Sequence, residues 1–307
     1  MAMGVEMRTQ VYYVLCLLAF TILTTNVHAA AQEKPASVFA RSNLVAWCVV
    51  PFDGKNRGPA ERTEMVKRLG FTKVAYDWRA NHVPTFEDEI LQYKKHGIDY
   101  FAFWDTHDKA FELFAKHNIH PQIWRTAPSP AGKTNEERVT LAAKQWLPLV
   151  QRAAKMKCKV GLYNHGGWGG EPENLVAVCK VLREQHKADN VGIVYNLHHG
   201  HDQIKHFDKA LAAMQPYLLC LNLNGMNTDG DKKGQKILPL GAGEHDLQLL
   251  KIIRASKYAG PIGIIGHTND DVEQRLQDNL DGLDWLVAQL DGKEAGPRPK
   301  YRTYRGK

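Results

Sequence analysis

The chain has 307 residues, of which 44% are hydrophobic and 24% are charged. That composition is ordinary for a globular protein, and the length is enough for one large domain with a full core. The formal net charge is +7, but five basic residues and no acid lie within residues 297–307. The body of the chain is therefore close to balanced, and nucleic acid is not an expected partner.

The N-terminal segment has the pattern of an export signal. Residues 11–25 form an apolar run of about the length of a signal-peptide core, and the small side chains that a cleavage site needs occur within residues 26–29. A membrane anchor is the alternative, but a bilayer span needs roughly 20 apolar residues. We therefore predict a signal peptide over 1–29, a linker over 30–42, and a periplasmic or extracellular protein that leaves the membrane after cleavage.

Four cysteines follow the predicted signal peptide, and none has the close spacing of a metal-binding CxxC pair. Cys48 and Cys220 lie in apolar strand-like runs, where a free thiol behaves as a small hydrophobic side chain. In an exported protein some cysteines could form disulfides. The sequence leaves open which of Cys48, Cys158, Cys179 and Cys220 would pair.

From residue 44 onward, short β-rich runs alternate with amphipathic helical runs. The predicted strands are 44–50, 72–78, 99–104, 121–126, 159–164, 191–197, 218–224 and 261–266. The predicted helices are 61–70, 86–97, 109–118, 136–156, 173–186, 204–215, 245–260 and 271–290. The helices have apolar residues at i, i+3 and i+4. Hydrophobic strands between such helices are typical of a parallel sheet that is covered on both faces.

Strict alternation of eight strands and eight helices predicts an α/β fold, the (β/α)8 TIM barrel, as a single domain over 43–292. A doubly wound open sheet is the alternative. It would usually have a glycine-rich phosphate loop after its first strand, and residues 50–61 lack the GxGxxG spacing. The basic residues 293–307 are predicted to form a flexible, solvated tail, with contact to a polyanion as the alternative.

The carboxyl ends of the predicted strands are unusually polar and aromatic, and in TIM barrels these ends hold the chemistry. Aromatic faces stack on sugar rings, while carboxylate, amide and guanidinium groups bind the hydroxyls. We therefore predict that a small-molecule sugar binds there. The candidate substrate-binding residues are Asp77, Trp78, Trp104, Trp124, Arg125, Tyr163, Asn164, Trp168, Asn222 and Asn224.

Several of these residues also have a plainer structural interpretation. Asp77 and Asp105 could cap loops, and Arg125 could pair with one of them. A tryptophan at a strand end is often a packing residue. Because four strand ends hold a tryptophan, we expect at least one of them to stack on a sugar.

The sixth predicted strand ends in a run that is rich in histidine. If the strand continues, its side chains alternate between faces, so His198 and His199 would point in opposite directions. We predict that His199 faces the site and that His198 packs outward. His201 and Asp202 are predicted to begin the next helix.

Three stretches, YNHGGWGGEPEN (163–174), GIVYNLHHGHD (192–202) and LPLGAGEHD (238–246), resemble the sugar phosphate isomerase/epimerase group, the xylose isomerase-like TIM barrels. The resemblance covers roughly residues 42–290 in the order of elements. Members of that group usually hold a divalent metal at the ends of strands five to eight. Two carboxylates there usually also move protons at a sugar carbon beside a carbonyl.

This sequence departs from the pattern of the group at the metal-binding positions. Tyr163 stands where the fifth-strand Glu is expected, Asn196 replaces the sixth-strand Asp, and His267 lies near the eighth-strand Glu. Imidazole ligands suit Zn²⁺, Co²⁺, Ni²⁺ or Fe²⁺, and Mn²⁺ remains an option. The resemblance implies His165, His199 and His267 as metal ligands, with a metal-free site as the alternative.

The usual pair of proton-moving carboxylates is also missing. The stretch that contains Gly241, Gly243, Glu244 and Asp246 does match the group, in which it lines the sugar site. The candidate catalytic residues are therefore Glu244, Asp105 and His199, with Asp77 as a further acid, base or hydroxyl-binding group.

These residues and the resemblance together predict an exported enzyme. It would be an isomerase, epimerase or related lyase that acts at a C–H bond next to the carbonyl of a sugar or keto-sugar, with metal assistance. The alternatives are a barrel that binds a glycan without turnover and a hydrolase on the same fold. A glycosidase would need two positioned carboxylates. The sequence leaves the oligomeric state open.

Overall fold

A closed barrel of eight parallel strands forms the centre of the protein, which is described here over residues 37–305 by a computed structural model. The strands pair in chain order, and the eighth pairs back with the first. They are β1 (Leu44–Trp47), β2 (Lys73–Tyr76), β3 (Asp99–Trp104), β4 (Gln122–Thr126), β5 (Val160–Tyr163), β6 (Val191–Asn196), β7 (Leu218–Leu223) and β8 (Ile262–Ile265). The predicted (β/α)8 barrel is confirmed.

One helix follows each strand and packs on the outside of the barrel. The helices are α1 (Pro59–Arg68), α2 (Phe86–His96), α3 (Asp108–His117), α4 (Asn135–Lys155), α5 (Pro172–His186), α6 (Phe207–Met214), α7 (Asp246–Ala255) and α8 (Val272–Leu290). The helix α2 ends at Gly97 as the sequence predicts, because Gly97 adopts the left-handed conformation with φ 68°. Before α6, His201 and Asp202 begin a 3-10 helix over His201–His206.

Side chains alternate between the two faces of each strand, so the barrel has an inner and an outer core. In β1, Leu44 and Ala46 pack toward the helices, whereas Val45 and Trp47 point into the barrel. Trp124 of β4 also fills the interior and is fully buried. Gly161 gives it room, because a Cβ there would lie 2.9 Å from Trp124 Cδ1. These side chains fill the inside of the barrel below its carboxyl end.

The cysteines lie in the packed interior. Cys48, Cys158, Cys179 and Cys220 are all buried free thiols. Within residues 37–305, no helix combines the length and apolarity that crossing a membrane requires. The predicted signal peptide 1–29 falls outside the described residues.

The C-terminal residues correct the expectation of a solvated tail. Tyr301 Oη donates to Leu240 O at 2.9 Å, and Arg298 Nε donates to Gly241 O at 2.6 Å. Arg302 pairs with the buried Asp278 of α8 at 3.0 Å. Composition alone shows the excess of basic residues here, but it does not show that α8 and the loop after β7 offer acceptors to them.

Candidate active site

A cavity of about 280 Å³ lies at the carboxyl end of the barrel. Parallel strands bring their carboxyl ends to the same face, and the residues that line the cavity stand at or just beyond those ends. They are Trp47, Cys48, Phe52, Asp77, Arg79, Trp104, Tyr163, His165, His198, His199, Lys236, Ile237 and His267.

Four imidazoles line the cavity. The ring centroids of His165 and His199 are 4.3 Å apart, and those of His198 and His199 are 3.9 Å apart. His267 lies 6.3 Å from His198. These four residues, His165, His198, His199 and His267, are called the imidazole set below. They come from the loops after β5, β6 and β8.

The prediction that His198 packs outward is wrong. His198 lines the cavity together with His199, although only 2% of it is exposed. The prediction assumed that the strand continues through both residues. Instead β6 ends at Asn196, and a 3-10 turn over Leu197–His199 carries both rings over the mouth of the barrel.

The imidazole set is electrically neutral near pH 7. Burial lowers the pKa of each ring, because it disfavours the charged form. The nearby ammonium of Lys236 lowers all four values further. The pKa of His199 falls to about 3 and that of His267 to about 4. Neutral rings can accept a hydrogen bond or a proton through one nitrogen and donate through the other.

Asp77 alone contributes a carboxylate among the described residues that line the cavity. It follows β2 directly and is 2% exposed, and its Oδ1 accepts a hydrogen bond from Val50 N at 3.2 Å. Burial raises the pKa of Asp77 to about 7. A carboxyl group with such a value can exchange a proton near neutral pH.

Two cationic side chains also line the cavity, Arg79 after β2 and Lys236 in the long loop after β7. The guanidinium of Arg79 lies over the Phe52 ring at 5.3 Å, and its Nη1 donates to Trp78 O at 2.8 Å. The backbone carbonyl of Lys236 is fixed by His201 Nε2 at 3.1 Å. Within residues 37–305, neither cation has a carboxylate at ion-pair distance.

The aromatic walls are only partly those that the sequence predicts. Trp104 and Tyr163 line the cavity together with Trp47, whose Nε1 donates to Tyr163 Oη at 3.2 Å. Trp124 lies below, inside the barrel. Trp78 and Trp168 lie outside the cavity.

Those two tryptophans have packing partners elsewhere. Trp78 stacks near Phe103 with ring centroids 6.2 Å apart. Trp168 Nε1 donates to Asn135 Oδ1 at 2.6 Å, at the start of α4. A strand-end position therefore does not decide whether a tryptophan faces the ligand.

Four asparagines at the ends of β5, β6 and β7 are buried and do not line the cavity. Asn164 Nδ2 donates to Asn196 O at 3.0 Å, and Asn164 Oδ1 accepts from Asn196 N at 2.6 Å. Asn222 fits against β8 only because residue 263 is glycine: a Cβ there would lie 1.7 Å from Asn222 Oδ1. Asn224 Nδ2 donates to Gly225 O at 2.8 Å. These residues are called the amide set.

The three predicted catalytic residues are not brought together, and only His199 lines the cavity. Asp105 pairs with Arg125 at 3.2 Å, and both side chains are more than one-third exposed outside the cavity. Glu244 is exposed, and its Oε1 accepts from Thr228 N at 2.6 Å.

The stretch around Glu244 that matches the family has a structural role in this chain. Asp246 is buried and accepts backbone hydrogen bonds from Met226, Gly241 and Gly243 at 2.7 to 2.9 Å. These bonds hold the loop after β7 against the start of α7. None of the four matching residues lines the cavity.

The residues present do not fit a divalent metal of the kind that the resemblance implies. His165, His199 and His267 do share one cavity, but the His267 ring lies against the Phe52 ring, with centroids 3.6 Å apart and planes tilted by 38°. Across residues 37–305, no three His, Cys, Asp or Glu side chains converge as a metal site. The positions where carboxylates are expected hold the uncharged Tyr163 and Asn196, and an ammonium acts on all four imidazoles.

Several lining residues are absent from the predicted site. Arg79 is recognisable in the sequence as a polar residue at the end of the second strand, two positions after Asp77, but it is not among the predicted site residues. Lys236 and Ile237 have no such signal, because they lie in a loop without periodicity between β7 and α7. Cys48 lies beyond β1 but within the predicted strand 44–50, and Phe52 lies in the loop that follows.

Comparisons with known proteins agree with this architecture. Residues 102–289 match the xylose isomerase-like TIM barrel family. Comparison with curated protein sequences finds no match.

Three solved structures illustrate the similarity of fold. The 3-keto-D-glucoside 4-epimerase YcjR of E. coli is 16% identical, with TM-score 0.59 over 80% of this chain and 99% of the other. A D-psicose 3-epimerase solved in the presence of D-fructose is 12% identical, with TM-score 0.56 over 83% and 100%. The IolI protein with a bound zinc atom is 13% identical, with TM-score 0.59 over 80% and 98%.

Proposed function

The chain belongs to the xylose isomerase-like TIM barrel family, and from that membership we propose that it is a sugar isomerase, epimerase or related lyase. The reaction breaks a C–H bond beside the carbonyl of a sugar or keto-sugar. The observation that supports this proposal most is the composition of one cavity, in which Asp77 and the imidazole set face aromatic walls and two cations.

We assign the first proton transfer to Asp77. Its carboxylate is the ionisable acid or base with a pKa near 7 at this cavity, and a base is most effective when its pKa lies near the working pH. The electron pair of the C–H bond moves onto the carbonyl oxygen and forms an enolate. The N–H groups of the imidazole set line the same cavity and would stabilise that negative charge.

His199 stands across the cavity from Asp77. The two residues follow β6 and β2, which are on opposite sides of an eight-stranded ring. In an isomerase Asp77 moves the proton between neighbouring carbons, and a neutral imidazole moves the hydroxyl proton between the two oxygens. In an epimerase a proton must reach the carbon from its other face, where His199 stands. Because the His199 ring is neutral, it would give up its N–H proton while its second nitrogen takes a proton from water. In a lyase a leaving group departs from the enolate instead.

A divalent metal, as in the zinc-bound structure with the same fold, is what the resemblance implies. The donor set of this cavity does not fit that ion, so the proposed reaction uses only the side chains of the chain. Export through the predicted signal peptide 1–29 stays part of the proposal. N-terminal sequencing of the protein that is secreted by its host would test the cleavage near Ala29.

The test of this function is exchange of substrate hydrogen with solvent. Purified protein is incubated in D2O with aldoses, ketoses and 3-keto-glucosides, and NMR follows loss of the C–H signal beside the carbonyl. We expect exchange in at least one class of sugar, with Glu244→Gln as a control that retains it because Glu244 lies outside the cavity. Binding of a sugar without exchange would instead support the glycan-binding alternative.

A further inference from the structure

Arg79 and Lys236 differ from Arg57 and Arg62, which are paired with carboxylates in the same molecule. Arg62 pairs with the buried Glu89, and Arg57 pairs with Asp53 and Asp271. Arg79 and Lys236 line a concave site without any such carboxylate among residues 37–305. A pair of cations that is left without counter-charge in a cavity raises the local concentration of anions.

The guanidinium of Arg79 is held in one orientation. Nη1 donates to the carbonyl oxygen of Trp78, and Cζ lies over the Phe52 ring, which is in contact with His267 at 3.6 Å between centroids. Nε and Nη2 have no partner among the described residues. A guanidinium that is fixed in this way presents a rigid fork, which matches the two oxygens of a carboxylate or phosphate.

Lys236 approaches the same space from the loop after β7. Its backbone is fixed by His201 Nε2 and by Asn224 Nδ2 at 3.2 Å, so its side chain starts from a defined point beside the imidazole set. The charges of Lys236 and Arg79 both lower the pKa of His267, so both cations lie near that ring. Asp77 offsets one positive charge at most, and the imidazoles offset none.

We propose that the substrate is an anionic sugar, whose carboxylate or other oxyanion group is bound by Arg79 and Lys236 while its carbonyl end lies against Asp77 and the imidazole set. This inference rests on the proposed function, since it names the substrate class of the same site. A sugar acid of the uronate type has this chemistry, and a sugar phosphate is the other source of the same oxyanion.

The test is direct binding, measured by calorimetry on the mature chain at low and at high ionic strength. The ligands are D-glucuronate, D-glucose and D-glucose 6-phosphate, which share a ring and differ in the charge of one substituent. We expect an anionic ligand to bind at least about tenfold tighter than glucose, a difference that shrinks as salt screens the charges. Tighter binding of glucuronate would identify a sugar acid as the source of the oxyanion, and tighter binding of glucose 6-phosphate would identify a sugar phosphate.

Variants identify the residues responsible. Arg79→Met and Lys236→Met should each weaken the anionic ligand by about tenfold while leaving glucose unchanged. The controls Arg125→Met and Lys232→Met remove exposed cations that lie outside the cavity and should leave all affinities unchanged. Both test residues are exposed, and a thermal melt of each variant confirms that it is folded.

Two results would overturn the inference. One is equal binding of glucose and of both anions, and the other is an anion preference that survives Arg79→Met and Lys236→Met. Deuterium exchange separates this failure from failure of the proposed function. Exchange of a neutral keto-sugar without anion preference would remove the inference and keep the function, whereas tight anion binding with no exchange in any sugar would remove the function.

Discussion

The imidazole set and the amide set stand at the same end of the barrel and on neighbouring strands, yet their environments are opposite. His165, His198, His199 and His267 line the cavity, whereas Asn164, Asn196, Asn222 and Asn224 are buried beneath it. In these two sets the difference goes with distance along the chain, whereas Asp77, one residue beyond β2, shows that a residue at a strand end can also face the cavity. The asparagines lie within one residue of a strand end, where the neighbouring backbone is in reach. The histidines lie two or three residues past the end of their strand, above the sheet.

The comparison teaches that a polar residue at the mouth of a parallel barrel has two possible tasks. Close to the strand end, its hydrogen bonds replace those that the ladder no longer makes, as Asn164 does for Asn196. After the chain has left the sheet, the side chain is free to face a ligand. Loss of an imidazole should therefore affect turnover, and loss of an amide should affect stability.

The largest expected effect is on turnover, at the base that works with the imidazole set. Asp77→Asn should reduce solvent exchange by about 10²- to 10⁴-fold, because an amide cannot accept the proton. The matched control Glu244→Gln should leave exchange within about twofold, because Glu244 lies on the surface. NMR of the sugar in D2O measures both. An Asp77→Asn protein with the exchange rate of the wild type would contradict the assignment.

The amide set should show the next largest effect, in stability. Asn164→Ala removes both hydrogen bonds to the backbone of Asn196 and should lower the free energy of unfolding by about 1–3 kcal/mol. Urea denaturation measures this, with the exposed Asn81→Ala as the control. If His199→Ala cost as much stability as Asn164→Ala, the proposed division between the two sets would be lost.

The third effect is on pH dependence. Burial raises the pKa of Asp77 to about 7, and only its ionised form is a base. Exchange should therefore rise with pH through about 7 and level off above it, and the residual activity of Asp77→Asn should lack this limb. The stability that Asp77 contributes changes with pH in the opposite direction to the exchange rate. The folded state holds the proton of Asp77 more tightly, so this residue's contribution to stability falls as pH rises from about 4 to about 7. A wild-type exchange rate that is flat across this window would contradict the role of Asp77.

The smallest expected effect is on KM, and it distinguishes a tryptophan that lines the cavity from one that does not. Trp104 lines the cavity, and Trp78 packs on Phe103 outside it. Trp104→Phe should raise KM several-fold, because the loss of part of a stacking face costs about 1 kcal/mol. Trp78→Phe should leave KM unchanged. Steady-state kinetics on the sugar found by exchange would measure both, and equal KM changes would show that Trp104 is not a platform.

The barrel was predictable because it follows from local patterns: hydrophobic runs of strand length, helical periodicity and a glycine such as Gly97 where a helix ends. The predicted strands ran too long where the chain turns out of the sheet. The segment 44–50 is an example, since β1 ends at Trp47 and Cys48 adopts a φ of 55°.

The site was predictable only in part, since His165, His199 and His267 were found from their places after strands. Lys236 was not found, because tertiary packing brings its irregular loop over the mouth. For the same reason Glu244, which matches a sugar-binding stretch by pattern, lies on the surface. A motif shows which loop is present, but neighbouring elements decide which way its side chains face.

The most direct test of this account is solvent exchange by wild-type protein that has been stripped of metal with a chelator and checked by elemental analysis. The central claim is that Asp77 and the imidazole set activate the C–H bond themselves. The account predicts that the stripped protein exchanges at the same rate as the untreated protein. Exchange that disappears on stripping and returns on addition of Zn²⁺, Mn²⁺ or Co²⁺ would contradict it and restore His165, His199 and His267 as metal ligands.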